Sequence, residues 1–149
     1  MFDGRHHILR VRVYYEDTDA AGIVYHAGYL RFAERGRTEF LRELGWQQAA
    51  LAAGAGLAFA VRQARIDWRA PARLDDELAV RTSLSRLGGA SLEVVQQVSR
   101  GDLLLALLEV KVACVGRDLR PARLPGPLRG ALTQLLPNSE RIAALIPRE

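Results

Sequence analysis

The spacing of apolar residues changes twice along the chain. From His7 to Tyr15 it alternates, with Leu9, Val11, Val13 and Tyr15 on one face and Arg10 and Arg12 on the other, which predicts a half-buried strand. An acidic, turn-rich stretch follows, Glu16-Asp17-Thr18-Asp19-Ala20-Ala21-Gly22. From about Ala27 the period becomes 3.6. Tyr29, Ala33, Gly36, Phe40 and Leu44 form one stripe, supported by Leu30 and Leu41, while charged residues fill the rest. Gly45 stops this helix after about 16 residues, roughly 24 Å at the helical rise. A shorter helix over Trp46 to Ala53 ends at Gly54. Alternation then returns from Leu57 through Ile66 and Trp68 to Pro71, and in Leu78, Val80, Thr82 and Leu84 after the Asp75-Asp76-Glu77 turn. Gly88-Gly89 reads as a hairpin turn into Leu92, Val94, Gln96 and Val98, and Gly101-Asp102 as a turn into the apolar run Leu103 to Val115, suited to a central strand. A proline-punctuated connection leads to a terminal helix over about 127–136, opened by Pro127 and ended by Pro137.

One long helix followed by meandering strands is an α+β pattern. The economical packing is a curved antiparallel sheet of about five strands wrapped around that helix, in one domain over 1–149. Gly36, in the middle of the buried stripe, lets a sheet approach closely; its plainer reading is a propensity defect of about 1 kcal/mol.

Composition narrows the classes of function. A chain of 149 residues can bury a sizeable core without disulfide or metal, and its single cysteine, Cys114, excludes a disulfide framework and a cysteine-cluster zinc site. The adjacent His6 and His7 have no third ligand spaced to join them, so no metal is expected. No apolar run approaches the roughly 20 residues that span a bilayer, and the first ten residues do not read as a signal peptide, which places the protein in the cytoplasm. The net charge of +4 comes from 21 basic against 17 acidic residues, and Lys111 is the only lysine. The arginines are scattered without a basic run or interleaved aromatics, so a phosphate-bearing small molecule suits them better than nucleic acid. Trp46 and Trp68 read as core or interface aromatics.

Chemistry concentrates in the loop that feeds the long helix. A helix start presents unpaired N–H groups and about half a positive charge, which can polarise a carbonyl and hold the oxyanion formed on attack. A carboxylate beside it serves as general base toward water or as nucleophile. Together these make a minimal acyl-transfer site without serine or cysteine. The same residues also serve as turn formers and caps, with His26 a satisfied side chain near a helix start. Spacing alone leaves both readings open.

Val13-Tyr14-Tyr15-Glu16-Asp17-Thr18-Asp19, then Gly22-Ile23-Val24-Tyr25-His26, then Tyr29 and Arg35-X-Arg37-Thr38-Glu39 resemble the hotdog-fold acyl-CoA thioesterases, most closely the Tol-Pal-associated branch related to the 4-hydroxybenzoyl-CoA thioesterases. The likeness runs from about residue 8 to 135, through Ile66-Asp67, Pro71-Ala72-Arg73-Leu74 and Arg120-Pro121; Gly28 stands where the family often carries asparagine. The resemblance implies hydrolysis of short-chain or aromatic acyl-CoA by Asp19, as nucleophile or base, with His26 as a second catalytic candidate. It also implies that backbone N–H groups at Val24, Tyr25 and His26 polarise the thioester carbonyl. Asp17 is read as loop structure, and Tyr25 as a wall of the acyl pocket. Tyr29, Phe59 and Val61 are candidates for lining the acyl pocket, and Arg86, Arg117 and Arg120 for gripping the phosphates of coenzyme A. No cofactor is expected beyond the coenzyme A of the substrate, with acyl carrier protein an alternative donor. A homodimer joined edge to edge, or a homotetramer, would place active sites at the interface, lined partly by the partner's strand near Val61 to Ile66. The competing reading is a non-catalytic acyl-binding or scaffolding protein of the cell envelope or lipid metabolism.

Overall fold

The computed structural model describes residues 1–138; the expected domain over 1–149 extends past them. Six strands form one sheet in the order β1-β2-β4-β5-β6-β3, every neighbouring pair antiparallel. They span Phe2–Asp3 (β1), His6–Arg12 (β2), Ala58–Trp68 (β3), Glu77–Leu87 (β4), Ser91–Arg100 (β5) and Leu103–Val115 (β6). The helices are Gly28–Glu43 (α1), Gln48–Ala53 (α2) and Gly126–Thr133 (α3). β1 is the strand beyond the expected five, two residues too short to show a period.

α1 lies across β2, β4 and β5 and buries Tyr29, Phe32, Ala33, Gly36, Phe40 and Leu41. Leu30, expected on the stripe, is 41% exposed, because the buried face runs through Tyr29 and Phe32 instead. The sheet offers Leu78, Val80, Leu84, Val94, Val98, Leu105 and Leu108 to that face. The apolar run of β6 is central, as its composition requires, between β5 and β3. Gly36 faces the sheet so closely that an added Cβ would stand 2.8 Å from Val80 Cγ1. Beneath it runs a buried polar thread. Gln96 Nε2 donates to Ala33 O at 2.8 Å and to Thr82 Oγ1 at 2.9 Å, and Arg37 donates to Gln96 Oε1 at 3.0 Å.

β2 stops at Arg12, earlier than its alternation predicts. Asp17 takes the Tyr14 N–H on Oδ2 at 2.8 Å and starts a one-turn 3₁₀ helix over Tyr15–Asp17, leaving Tyr15 82% exposed instead of inward. The second helix begins at Gln48, with Trp46 in the preceding turn. The adjacent histidines face different partners: His6 Nδ1 meets Ser83 Oγ at 2.6 Å, and buried His7 meets Glu43 Oε2 at 2.7 Å through Nε2. No helix among the described residues is long and apolar enough to cross a membrane.

Candidate active site

Asp19 heads a tight hairpin. Its N–H donates to Ile23 O at 2.9 Å, the Gly22 N–H returns to Asp19 O at 3.0 Å, and Gly22 sits at φ +78°. This is a three-residue loop closed by a left-handed bulge residue, where glycine carries no steric cost. The Ala21 N–H donates to Asp19 Oδ1 at 2.8 Å and aims the carboxylate. Its other oxygen, Oδ2, has no hydrogen-bond partner among the described residues. Asp19 is therefore a turn former through one oxygen and open to chemistry through the other.

The residues that follow are held peptide by peptide. The Val24 N–H donates to Ala72 O at 2.9 Å and the Tyr25 N–H to Asp17 O at 3.1 Å. Tyr25 O accepts the Gly28 N–H at 2.7 Å, and His26 O accepts the indole N–H of Trp68 at 3.0 Å. A trans peptide holds its N–H opposite its C=O, so fixing those two oxygens also fixes the amides of His26 and Ala27. Neither amide has a partner among the described residues. They lie at the start of α1, where the helix dipole adds positive potential. Of the three expected donors, the amides of Val24 and Tyr25 are spent on carbonyls, which moves the available pair to His26 and Ala27.

These groups share a cleft of about 400 Å³ lined by Asp19, Val24, His26, Tyr29, Trp68 and Pro71, among others. Tyr29 is 2% exposed, and its hydroxyl accepts the Ala72 N–H at 3.1 Å, so its ring forms a wall while its polar end is committed. The rings of Tyr25 and His26 meet at a tilt of 45° with centroids 4.3 Å apart, and His26 meets Trp68 edge-on at 6.0 Å. The far wall, 70–76, is clamped from β5: Arg100 donates to Pro71 O at 3.2 Å and to Asp76 Oδ2 at 2.6 Å, and that oxygen also takes the Arg73 N–H at 2.9 Å. Burial pushes the Asp76 carboxyl up, but the Arg73 N–H and the Arg100 guanidinium outweigh it and hold its pKa below the ordinary value.

The structure brings Asp19, Val24, His26 and Tyr29 together and leaves the other candidates apart from this cleft within one chain. Phe59 and Val61 line a second cavity. Arg86 pairs with Glu93 at 3.4 Å on the outer face of the sheet. Arg120 is exposed in the turn after β6, and Arg117 lies over Gly56. Trp68 is the site residue that the sequence reading missed. It is 50% exposed at the end of β3 rather than in the core, and its role depends on a hydrogen bond to a residue 42 positions away.

Three comparisons bear on what such a cleft belongs to. A family model described as the thioesterase-like superfamily matches residues 13–132. The chain is 46% identical over 126 residues to the acyl-CoA thioesterase YbgC of Haemophilus influenzae, covering 84% of this chain and 93% of that one. The crystal structure of a probable thioesterase from Bartonella henselae superposes with a TM-score of 0.79 at 41% identity, over 80% of this chain and 99% of that one. A solved gentisyl-coenzyme A thioesterase superposes at 0.77 with 26% identity, over 82% and 98%. A carboxylate hairpin delivered to the start of a sheet-wrapped helix, on a chain matched over most of its length, places this protein in the thioesterase-like superfamily, with the hotdog fold of its acyl-CoA thioesterases.

Proposed function

We infer that this member of the family hydrolyses acyl-CoA thioesters with Asp19 as the catalytic carboxylate. The observation that carries the reading is the juxtaposition, in one cleft, of a carboxylate oxygen without a partner and two oriented, unpaired amides at a helix start. A thioester carbonyl whose oxygen sits on the His26 and Ala27 N–H groups is polarised by donors that need no rearrangement as charge develops. Asp19 then attacks the carbonyl carbon, or removes a proton from the water that does. In either route the tetrahedral oxyanion collapses with loss of the coenzyme A thiolate, which takes up a proton; direct attack leaves an acyl–Asp19 anhydride, which water then hydrolyses to free the acid and restore the carboxylate. The imidazole of His26, flanked by the tilted ring of Tyr25 and the edge-on ring of Trp68, orients the carboxylate or the water.

Two further parts belong to this reading. β3 closes one edge of the sheet with 11 residues that are almost all exposed, and no strand among the described residues lies beside its outer edge. An unpaired strand of that length is a template for pairing, and a second copy of this chain supplies the match, giving a dimer with one continuous sheet. A homotetramer of two such dimers is the next assembly to look for. The same reading assigns the protein to the cytoplasm and to the metabolism of activated acyl groups, with acyl carrier protein as the second donor to assay. Arg86 and Arg120 are offered as phosphate contacts.

The decisive test measures free thiol release from a panel of acyl-CoAs by wild type and Asp19→Asn. Turnover falls by about 10² to 10⁴ in the variant, the usual range for loss of a positioned acid–base group, while circular dichroism stays unchanged. Equal turnover in the two proteins would refute the assignment.

A further inference from the structure

The two halves of the Asp19 cleft hang from different supports. The amides of His26 and Ala27 sit at the start of α1, steadied by the Gly28 N–H on Tyr25 O and by the indole of Trp68 on β3. The hairpin that carries Asp19 leans instead on the wall 70–76. Its outgoing limb meets the wall through the bridge between Ile23 and Arg73 and through the Val24 N–H, which donates to Ala72 O at 2.9 Å. Its other backbone ties, the bridge of Thr18 with Val24 and the Tyr25 N–H on Asp17 O, stay within the loop itself. Where the carboxylate stands relative to the amides therefore depends on where the wall stands.

The sheet holds the wall at its two ends. The N–H groups of Arg69 and Ala70 both donate to Leu105 O on β6, at 2.8 and 3.2 Å, and at the far end the Val13 N–H donates to Asp76 O at 2.9 Å. Between them Pro71 has no N–H to give, and the Ala72 N–H goes to the Tyr29 hydroxyl of α1. Among the described residues, the hydrogen bond from the sheet to this middle stretch comes from Arg100. Arg100 ends β5, paired with Leu103 across a turn that holds Gly101 at φ +57°. Its Nη1 donates to Pro71 O at 3.2 Å and to Asp76 Oδ2 at 2.6 Å, so one nitrogen gathers both ends of the wall. The same Asp76 oxygen takes the N–H of Arg73, the residue that bridges to Ile23. Arg100 and Asp76 are 34% and 22% exposed, and a charge-assisted bond this short is of the strong kind. Pro71 lines the Asp19 cleft, whereas Arg100 is no part of its lining. We propose that Arg100 is a positioning residue for the reaction: through Pro71, Asp76 and the bridge of Arg73 with Ile23, it sets the reach of Asp19 toward a carbonyl held on the His26 and Ala27 amides. The inference rests on the reading of Asp19 as the catalytic carboxylate, and adds a residue remote from the substrate that governs turnover. A reacting group misplaced by about 1 Å costs about 10²-fold, and because Tyr29 still steadies the wall, loss of the Arg100 tie costs about 10- to 30-fold.

The test measures thiol release by the full-length protein, using whichever of the straight-chain acyl-CoAs from acetyl to dodecanoyl, or benzoyl-CoA, the wild type turns over fastest. Arg100→Gln and Arg100→Lys are each made alone and together with Asp19→Asn, and single turnovers with enzyme in excess read the slow variants. Arg100→Gln lowers kcat about 10- to 30-fold and leaves KM within about twofold, the pattern of a group that acts only on the transition state. Arg100→Lys keeps the charge and a donor and recovers kcat to within about threefold of wild type. In the Asp19→Asn background, Arg100→Gln changes the residual rate by less than about twofold, because the carboxylate it places is gone. A merely structural role would lower that residual rate, which the amides still support, by the same factor as in the wild-type background. Equal losses in the two backgrounds, a change confined to KM, or an unchanged kcat would overturn the proposal. Should Arg100→Gln fail to fold, Arg100→Lys carries the same comparison, with a loss of about threefold that vanishes beside Asp19→Asn. Equal turnover by wild type and Asp19→Asn would instead sink the assignment of Asp19 and this proposal with it, and failure of wild type on every thioester would sink the hydrolase reading.

Discussion

Gly36→Ala asks whether the sheet closes onto α1 through one missing methyl group. The new Cβ would stand 2.8 Å from Val80 Cγ1, 3.1 Å from Gln96 Nε2 and 3.2 Å from Thr82 Oγ1. None of the three can yield freely. Val80 is fully buried in β4 and stiff at χ1. Gln96 is fully buried, and its side-chain hydrogen bonds to Ala33, Thr82 and Arg37 run through the amide that would move. Overpacking a core in this way costs about 1–3 kcal/mol. A Gln96 amide pushed off its partners adds about 1–3 kcal/mol for the group left unsatisfied. Against these stands the helix propensity of alanine, worth about 1 kcal/mol. The balance is a loss of about 3 kcal/mol, and in a chain of 149 residues this lowers the melting temperature by about 6–12 °C. Gly130→Ala is the matched control, since Gly130 lies inside α3 with nothing within 4 Å of its added methyl group, and it gains stability. Thermal and urea denaturation of both variants is the assay, with Val80→Ala added to Gly36→Ala to show that the penalty relaxes when the opposing methyl groups are removed. A Gly36→Ala protein as stable as wild type would refute the close-approach reading and leave Gly36 as a propensity defect.

Two further outcomes follow from the site. Trp68→Phe keeps the aromatic wall but releases His26 O, so kcat falls about tenfold, the loss of roughly one hydrogen bond's worth of alignment, with KM and melting temperature moving little; steady-state kinetics on one good acyl-CoA checks it, and a change confined to KM would make Trp68 a binding wall only. Asp76→Asn loosens the clamp on wall 70–76. The folded carboxyl of Asp76 titrates below its ordinary value, so its contribution to stability is full above about pH 4 and fades as the pH drops through the folded pKa; the variant melts below wild type at pH 7, and the gap narrows below pH 4 in scans at successive pH values.

The elements of this fold announced themselves where a single period runs unbroken. The α1 stripe and the apolar run of β6 are both read from spacing within about one residue of their observed ends. The exceptions lie where a side chain captured the backbone. Tyr15 continues the alternation of β2 but is turned outward, because the Asp17 carboxylate takes the Tyr14 amide and stops the ladder. Long-range pairings left no local trace. Nothing in the alternation of β3 says that it pairs last, on the far side of β6, and without that order neither the meeting of Trp68 with His26 nor the distance of Phe59 and Val61 from Asp19 can be foreseen. The same limit applies to the oxyanion donors: motif position marks Val24, Tyr25 and His26 alike, and only the partners Ala72 and Asp17, brought in from outside the helix, show which amides are already occupied. Asp19 is the instructive case. Two readings of it compete in the sequence because both describe the same side chain: one carboxylate oxygen holds Ala21 in the turn, and that restraint is what presents the other oxygen, in one orientation, to the cleft. A residue type favoured in turns is here aimed at the cleft by the same hydrogen bond, so no count of turn formers could separate the two readings, and a variant that keeps the turn while removing the charge, as asparagine does, is a substitution that can.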